Sequence, residues 1–90
     1  MDTKHISAAI TVERFGSFSE AARAIFVSQS TLSRQVASLE RELGGALFVR
    51  GPRRVEVTAL GQAFLPVARE VLDALARARQ PSVRSESPSP

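Results

Sequence analysis

The chain has 90 residues, a formal net charge of +3 and no cysteine, which leaves room for one small domain and excludes a disulfide framework, a thiolate metal site and a cysteine nucleophile. Its single histidine, His5, cannot by itself assemble a histidine metal site or a serine–histidine–aspartate triad. No apolar run reaches the roughly 18 residues of a membrane span, and Asp2 and Lys4 at the amino terminus precede nothing like a signal peptide, so a cytoplasmic protein is expected, with no enzymatic activity, cofactor or metal.

Residues 3–14 read as a helix. Ile6 and Ile10 share a face that Glu13 interrupts, and Ala8 and Ala9 add little area to it. Gly16 ends the segment, as a C-terminal glycine does. Ser17-Phe18-Ser19-Glu20 then fits a capping box, in which the Ser17 hydroxyl and the Glu20 carboxylate each satisfy a free amide. Phe15 is placed to pack over that start. The second helix is short, about Phe18 to Ile25, and Ala21 and Ala22 let a neighbouring helix approach. Ser28 is the next N-cap. Two helices about three residues apart, with small residues at the contact, read as a helix-turn-helix, although other helical proteins use the same pairing.

The third helix runs from about Gln29 to Leu43. At about 100° per residue, Leu32, Val36, Leu39 and Leu43 fall within about 60° of one another and form a core stripe. Opposite them lie Ser30, Arg34, Ala37 and Arg41, with Ser33 on the flank. A helix that enters a major groove needs such a face, because bulk or acid would clash with base edges or phosphates. Gln29, Ser30, Ser33 and Arg34 occupy its first turns, where a recognition helix meets bases. An ordinary solvated helix face would carry the same residues.

Gly44-Gly45 stops this helix. Leu47 to Arg50 and Val55 to Thr58 read as two short strands, with Gly51-Pro52-Arg53-Arg54 as the turn between them. A hairpin with Arg50, Arg53 and Arg54 at its end is a wing that can straddle phosphates or enter a minor groove. Between Ser28 and Arg54 five arginines stand against two glutamates, so this stretch holds the whole net charge. That is the footprint of a polyanion binder; a solvated basic face would show the same charge.

The last helix starts near Thr58 and runs to about Arg79. Leu60, Phe64, Val67, Val71, Leu75 and Ala78 form one stripe, and Leu65, Leu72 and Ala76 lie about 100° round from it. Together they exceed what a small monomer covers easily, and an isologous dimer contact is the expected use of the surplus. A compact monomeric core is the alternative. Pro66 in the helix interior predicts a kink. Three prolines and four serines between Pro81 and Pro90 predict disorder. The fold class is therefore mainly α: a winged helix-turn-helix over residues 1–58, built of three helices and a two-stranded wing, then a linker and dimerisation helix over 59–80, and a tail over 81–90.

Gly16-Ser17-Phe18-Ser19-Glu20-Ala21-Ala22, Val27-Ser28-Gln29-Ser30-Thr31-Leu32-Ser33-Arg34-Gln35-Val36, Leu39-Glu40-Arg41-Glu42-Leu43-Gly44 and Leu47-Phe48-Val49-Arg50 together resemble the amino-terminal domain of LysR-type transcriptional regulators. Val57-Thr58-Ala59-Leu60-Gly61 and Leu65-Pro66-Val67-Ala68-Arg69 are similar to the opening of that family's linker helix. The resemblance covers about residues 2–78. It implies a homodimer that binds double-stranded DNA at a roughly palindromic operator, and leaves open whether dimers pair further into a tetramer. It implies recognition-helix contacts by Gln29, Ser30, Ser33 and Arg34 and wing contacts by Arg53 and Arg54, with Arg50 beside them and Thr31 and Ser17 at phosphate positions. The linker helix would pair antiparallel, through Leu60, Phe64, Leu65, Val67, Val71, Leu72 and Leu75.

Four features depart from the family pattern. Thr3 replaces a usual leucine, Ala8 and Ala9 stand near a usual large side chain, Ser30 replaces a common proline, and Gly51-Pro52 shapes the wing tip. The first two predict thin packing around the first helix. Members of the family normally continue into an effector-binding domain, so no small-molecule effector site is expected within these 90 residues. Sequence-specific DNA binding is the leading function; the alternative is an interaction protein that heterodimerises with a full-length relative and titrates it.

Overall fold

The computed structural model describes residues 1–80, which form α1 (Thr3–Phe15), α2 (Phe18–Ala24), α3 (Gln29–Leu43), β1 (Phe48–Arg50), β2 (Val55–Val57) and α4 (Ala59–Ala78). The expected tail, Pro81 to Pro90, lies outside the described residues. Each helix starts at an oxygen-bearing side chain that accepts an otherwise free amide. Asp2 takes the amide of Lys4 at 2.8 Å, Ser17 that of Glu20 at 3.2 Å, Ser28 that of Thr31 at 3.0 Å and Thr58 that of Gly61 at 3.0 Å. Only the serine half of the capping box forms in α2: among the described residues the Glu20 carboxylate makes no return bond.

α1 and α3 end at Gly16 and Gly44, both in the left-handed conformation. α2 ends without a glycine. Phe26 N donates to Arg23 O at 3.3 Å and Val27 N to Ala22 O at 3.1 Å, the two bonds of a Schellman motif. Phe26 therefore occupies the left-handed position, at φ 60°, which costs roughly 1–2 kcal/mol for a residue carrying a Cβ.

α1 is the hub and packs against α2, α3 and α4. Its buried face is Ile6, Ala8, Ala9 and Val12, so the two alanines serve differently from expectation: they supply closeness rather than area, letting neighbouring helices approach. Glu13 does not spoil this packing either. Its carboxylate pairs with the Arg69 guanidinium across to α4, a half-exposed contact of about 1 kcal/mol or less. Leu32, Val36 and Leu39 of α3 close the core from one side, and Phe18, Ala21 and Ala22 of α2 from another. Where Thr3, Ser7 and Ala8 face Leu72, Leu75 and Ala76, the packing leaves an open groove of about 420 Å³, as small side chains on α1 lead one to expect.

The linker helix requires a correction. Its buried residues are Gly61, Leu65 and Ala68, and Leu65 is 0% exposed. Leu65 is thus sealed inside its own subunit and drops out of the expected dimerisation surface. Periodicity showed two adjacent apolar stripes on α4; it could not show which of them α1 would cover. Leu60, Phe64 and Leu72 are partly buried against the core, whereas Val67 and Val71 remain 52% and 40% exposed. α4 continues through Pro66 as one helix.

The start of α4 is locked against the hairpin through Gly61. A Cβ there would lie 2.5 Å from the Leu47 carbonyl oxygen and 2.7 Å from Val57 Cγ1. Alanine is the better helix former by about 1 kcal/mol, yet Gly61→Ala is expected to destabilise the fold by about 1–3 kcal/mol through overpacking. Urea unfolding of the two proteins checks the sign; a stabilised variant would show that the hairpin shifts freely against α4.

Candidate nucleic-acid interface

The amino-terminal turn of α3 carries a connected set of hydroxyls. Ser28 Oγ, besides accepting the Thr31 amide, donates to Thr31 Oγ1 at 2.9 Å and lies 3.2 Å from Ser30 Oγ. Thr31 Oγ1 in turn accepts from Arg34 Nη2 at 3.4 Å. The cap of the helix is thereby linked to the guanidinium one turn later, which restrains where Arg34 can point. Gln29, Ser30 and Arg34 are exposed, and Thr31 and Ser33 are half-buried. Because Leu32, Val36 and Leu39 are held in the core, the polar stripe can face only outward.

The segment that builds this face carries charge of one sign. From Ala21 to Leu39 the chain contains Arg23 and Arg34 and no acidic residue, and the amino-terminal end of α3 adds its partial positive charge. An approaching anion therefore meets free donors and positive potential together.

The wing is fastened at both ends. β1 and β2 pair antiparallel with Phe48 opposite Val57, Val49 opposite Glu56 and Arg50 opposite Val55. Val55 N donates to Gly16 O at 2.9 Å, and Thr58 N to Leu47 O at 2.9 Å. Thr58 Oγ1 also donates to Ala46 O at 2.6 Å, and the Glu40 carboxylate accepts the Leu47 amide at 2.7 Å. Glu40 thus ties the end of α3 to the first residues of the wing. It escaped sequence reading because a glutamate on a charged helix flank looks solvated until the Gly44-Gly45 turn brings the chain back to it.

The three wing arginines do not act alike. Strand alternation puts Arg50 on the same side as Phe48, and its guanidinium lies 4.3 Å above the Phe18 ring. Phe18 meets Phe48 edge-on, with centroids 6.1 Å apart. Arg50 is therefore drawn back from the wing tip by a cation–π contact. Arg54 also folds back, its guanidinium lying over Gly16. Arg53 stands exposed at the tip, with no hydrogen bond or ion pair among the described residues. Sequence alone groups all three at the tip; strand alternation is the signal that separates Arg50 from the other two.

One exposed residue near this face was not singled out at all. Phe26 is 93% exposed and lies in the turn that leads into Ser28. The signal for it was available: a helix that must end after Ala24 and restart at Gln29, with no glycine between.

Comparison with known proteins agrees with this geometry. The family model for bacterial regulatory helix-turn-helix proteins of the lysR family matches residues 3–62. The transcriptional regulator TfdT of Cupriavidus pinatubonensis is 38% identical over 90 residues, which is 97% of this chain and 40% of that protein. A probable nitrogen assimilation transcriptional activator of Synechococcus elongatus is 46% identical over 71 residues, 79% of this chain and 23% of that protein. This chain thus spans well under half the length of either relative. Among solved structures, the CbnR DNA-binding domain in complex with DNA superposes with a TM-score of 0.86 at 35% identity, covering 96% of this chain and 99% of that one. The BenM DNA-binding domain on its catB site 1 DNA gives a TM-score of 0.87 at 32% identity, covering 99% and 100%.

Proposed function

The chain belongs to the lysR family of bacterial regulatory helix-turn-helix proteins, and from that premise we propose that it binds double-stranded DNA sequence-specifically, as a homodimer, to regulate transcription in the cytoplasm. The observation that carries this reading is the outer face of α3, where hydroxyls linked to Arg34 stand on a helix whose other side is fixed in the core. α3 lies in the major groove. Gln29, Ser30, Ser33 and Arg34 meet base edges, while Thr31 and Ser17 sit near phosphates. Arg53 reaches the flanking backbone from the wing tip; Arg50 and Arg54 add positive potential, and Arg50 also braces the wing against Phe18.

The dimer forms through α4. Its contact stripe consists of Val67 and Val71 at the centre, with Leu60, Phe64, Leu72 and Leu75 beside them and Leu65 beneath, inside the subunit. An antiparallel, two-fold pairing of this stripe places two α3 helices in the symmetric arrangement that a roughly palindromic operator requires. Apolar side chains half-exposed along a helix that also carries Arg69, Glu70, Asp73 and Arg77 support an apolar partner face.

Arg34→Ala is expected to weaken binding to a duplex selected by the wild-type protein from a random pool by about 1–3 kcal/mol, and to relax preference at one base pair. Fluorescence anisotropy against single-base variants of that duplex measures both effects, and unchanged affinity would refute the assignment of α3. Val71→Asp is expected to convert the dimer to a monomer in analytical ultracentrifugation while leaving the circular-dichroism spectrum intact, because the new charge faces solvent in a single subunit. A dimer that persists in this variant would move the pairing surface off α4.

A further inference from the structure

Phe26 combines three properties that a residue in a surface turn has no structural reason to combine. It is aromatic, it is 93% exposed, and it holds a left-handed conformation that glycine or asparagine would hold with less strain. The ring adds nothing to the fold. The core is complete without it, and the groove beside α4 is lined by its neighbours Ile25 and Val27 but not by Phe26. Strain at an exposed side chain points to work done outside the chain.

Position identifies the occupant. Phe26 lies two residues before the Ser28 cap, a span of at most about 7 Å, so the backbone that carries the ring adjoins the first turn of α3. Arg23 precedes it and Arg34 follows it, with no acidic residue from Ala21 to Leu39, which matches a polyanion rather than an acidic-rimmed protein surface. A duplex presents apolar patches among its phosphates: thymine methyls in the major groove and the carbons of deoxyribose along its edge. We propose that Phe26 is a DNA-contacting residue whose ring packs on such a patch at the margin of the groove that α3 enters. The proposal rests on the DNA-binding reading above and adds to it a contact that carries no charge.

Phe26→Asn tests it, since asparagine accepts the left-handed conformation and keeps the turn. With the duplex selected by the wild-type protein, the variant is expected to bind about 5- to 20-fold more weakly, with an unaltered salt dependence, because no phosphate contact is lost. Its urea midpoint is expected to match or exceed that of the wild type. Replacing the duplex thymines by deoxyuridine distinguishes the two patches. Wild-type affinity falls to that of the variant if the ring meets a methyl and stays unchanged if it meets deoxyribose. Binding by Phe26→Asn within twofold of wild type would overturn the proposal, as would a variant whose dimerisation, measured without DNA, is weakened by as much as its DNA binding. Failure of the wild-type protein itself to bind any duplex would instead overturn the underlying function.

Discussion

The position of the wing relative to the recognition helix depends on one corner, Gly16. Its left-handed conformation ends α1 and turns the chain directly to Ser17, the cap of α2. Its carbonyl accepts the Val55 amide, so the second wing strand hangs from it. Its open α-carbon face carries the Arg54 guanidinium, where a Cβ would collide. Helix termination, strand docking and arginine placement therefore meet at one residue, and any side chain there conflicts with two of them: the backbone conformation and the space above it.

The same economy explains the alanines. A domain of this size has little apolar area to bury, and α1 must touch three helices at once. Ala8, Ala9, Ala21 and Ala22 are nearly inaccessible because closeness of backbones, with the dense packing it permits, substitutes for large side chains. The consequence appears where α1 meets the far half of α4: small side chains there leave a groove, and the neighbouring stripe of α4 remains uncovered. A core that small cannot engage a 20-residue helix on more than one face.

Much of this was legible beforehand because the signals are local. Caps at Ser17, Ser28 and Thr58 and the glycines at 16 and 44 fix helix ends within a residue or two, since they satisfy backbone groups that have few other partners. α3 was legible throughout, as Leu32, Val36 and Leu39 recur with one clear period. What escaped depends on contacts distant in sequence. Leu65 was misplaced because two stripes on α4 are equally apolar and only the seat of α1 separates them. Arg50 joins Phe18 across 32 positions, Glu13 meets Arg69 across 56, and neither pairing has a periodic signature. Phe26 lay hidden for the opposite reason: a phenylalanine between Ile25 and Val27 reads as core, and the lack of a glycine between α2 and α3 is the one local sign that it turns outward.

Charge alone therefore overstates what the wing does. Arg50, Arg53 and Arg54 raise the local potential wherever they point, but Arg50 is also held to the Phe18 ring, and the Arg54 guanidinium lies back over Gly16 without a hydrogen bond or ion pair among the described residues. A long, flexible side chain bound at its own surface has already lost part of its rotational freedom, so a contact with a phosphate would be less opposed by entropy than that of a free arginine. Arg34 is restrained in the same manner by Thr31. Arg53 makes no contact of this kind and stands at the tip, where, on the DNA-binding reading, the distance to a neighbouring groove varies with the shape of the DNA. On the DNA-binding reading proposed above, the division suits a reader of sequence: the restrained Arg34 and Arg50 would set register and direction, and Arg53 would adapt to what lies beyond the bases that α3 meets.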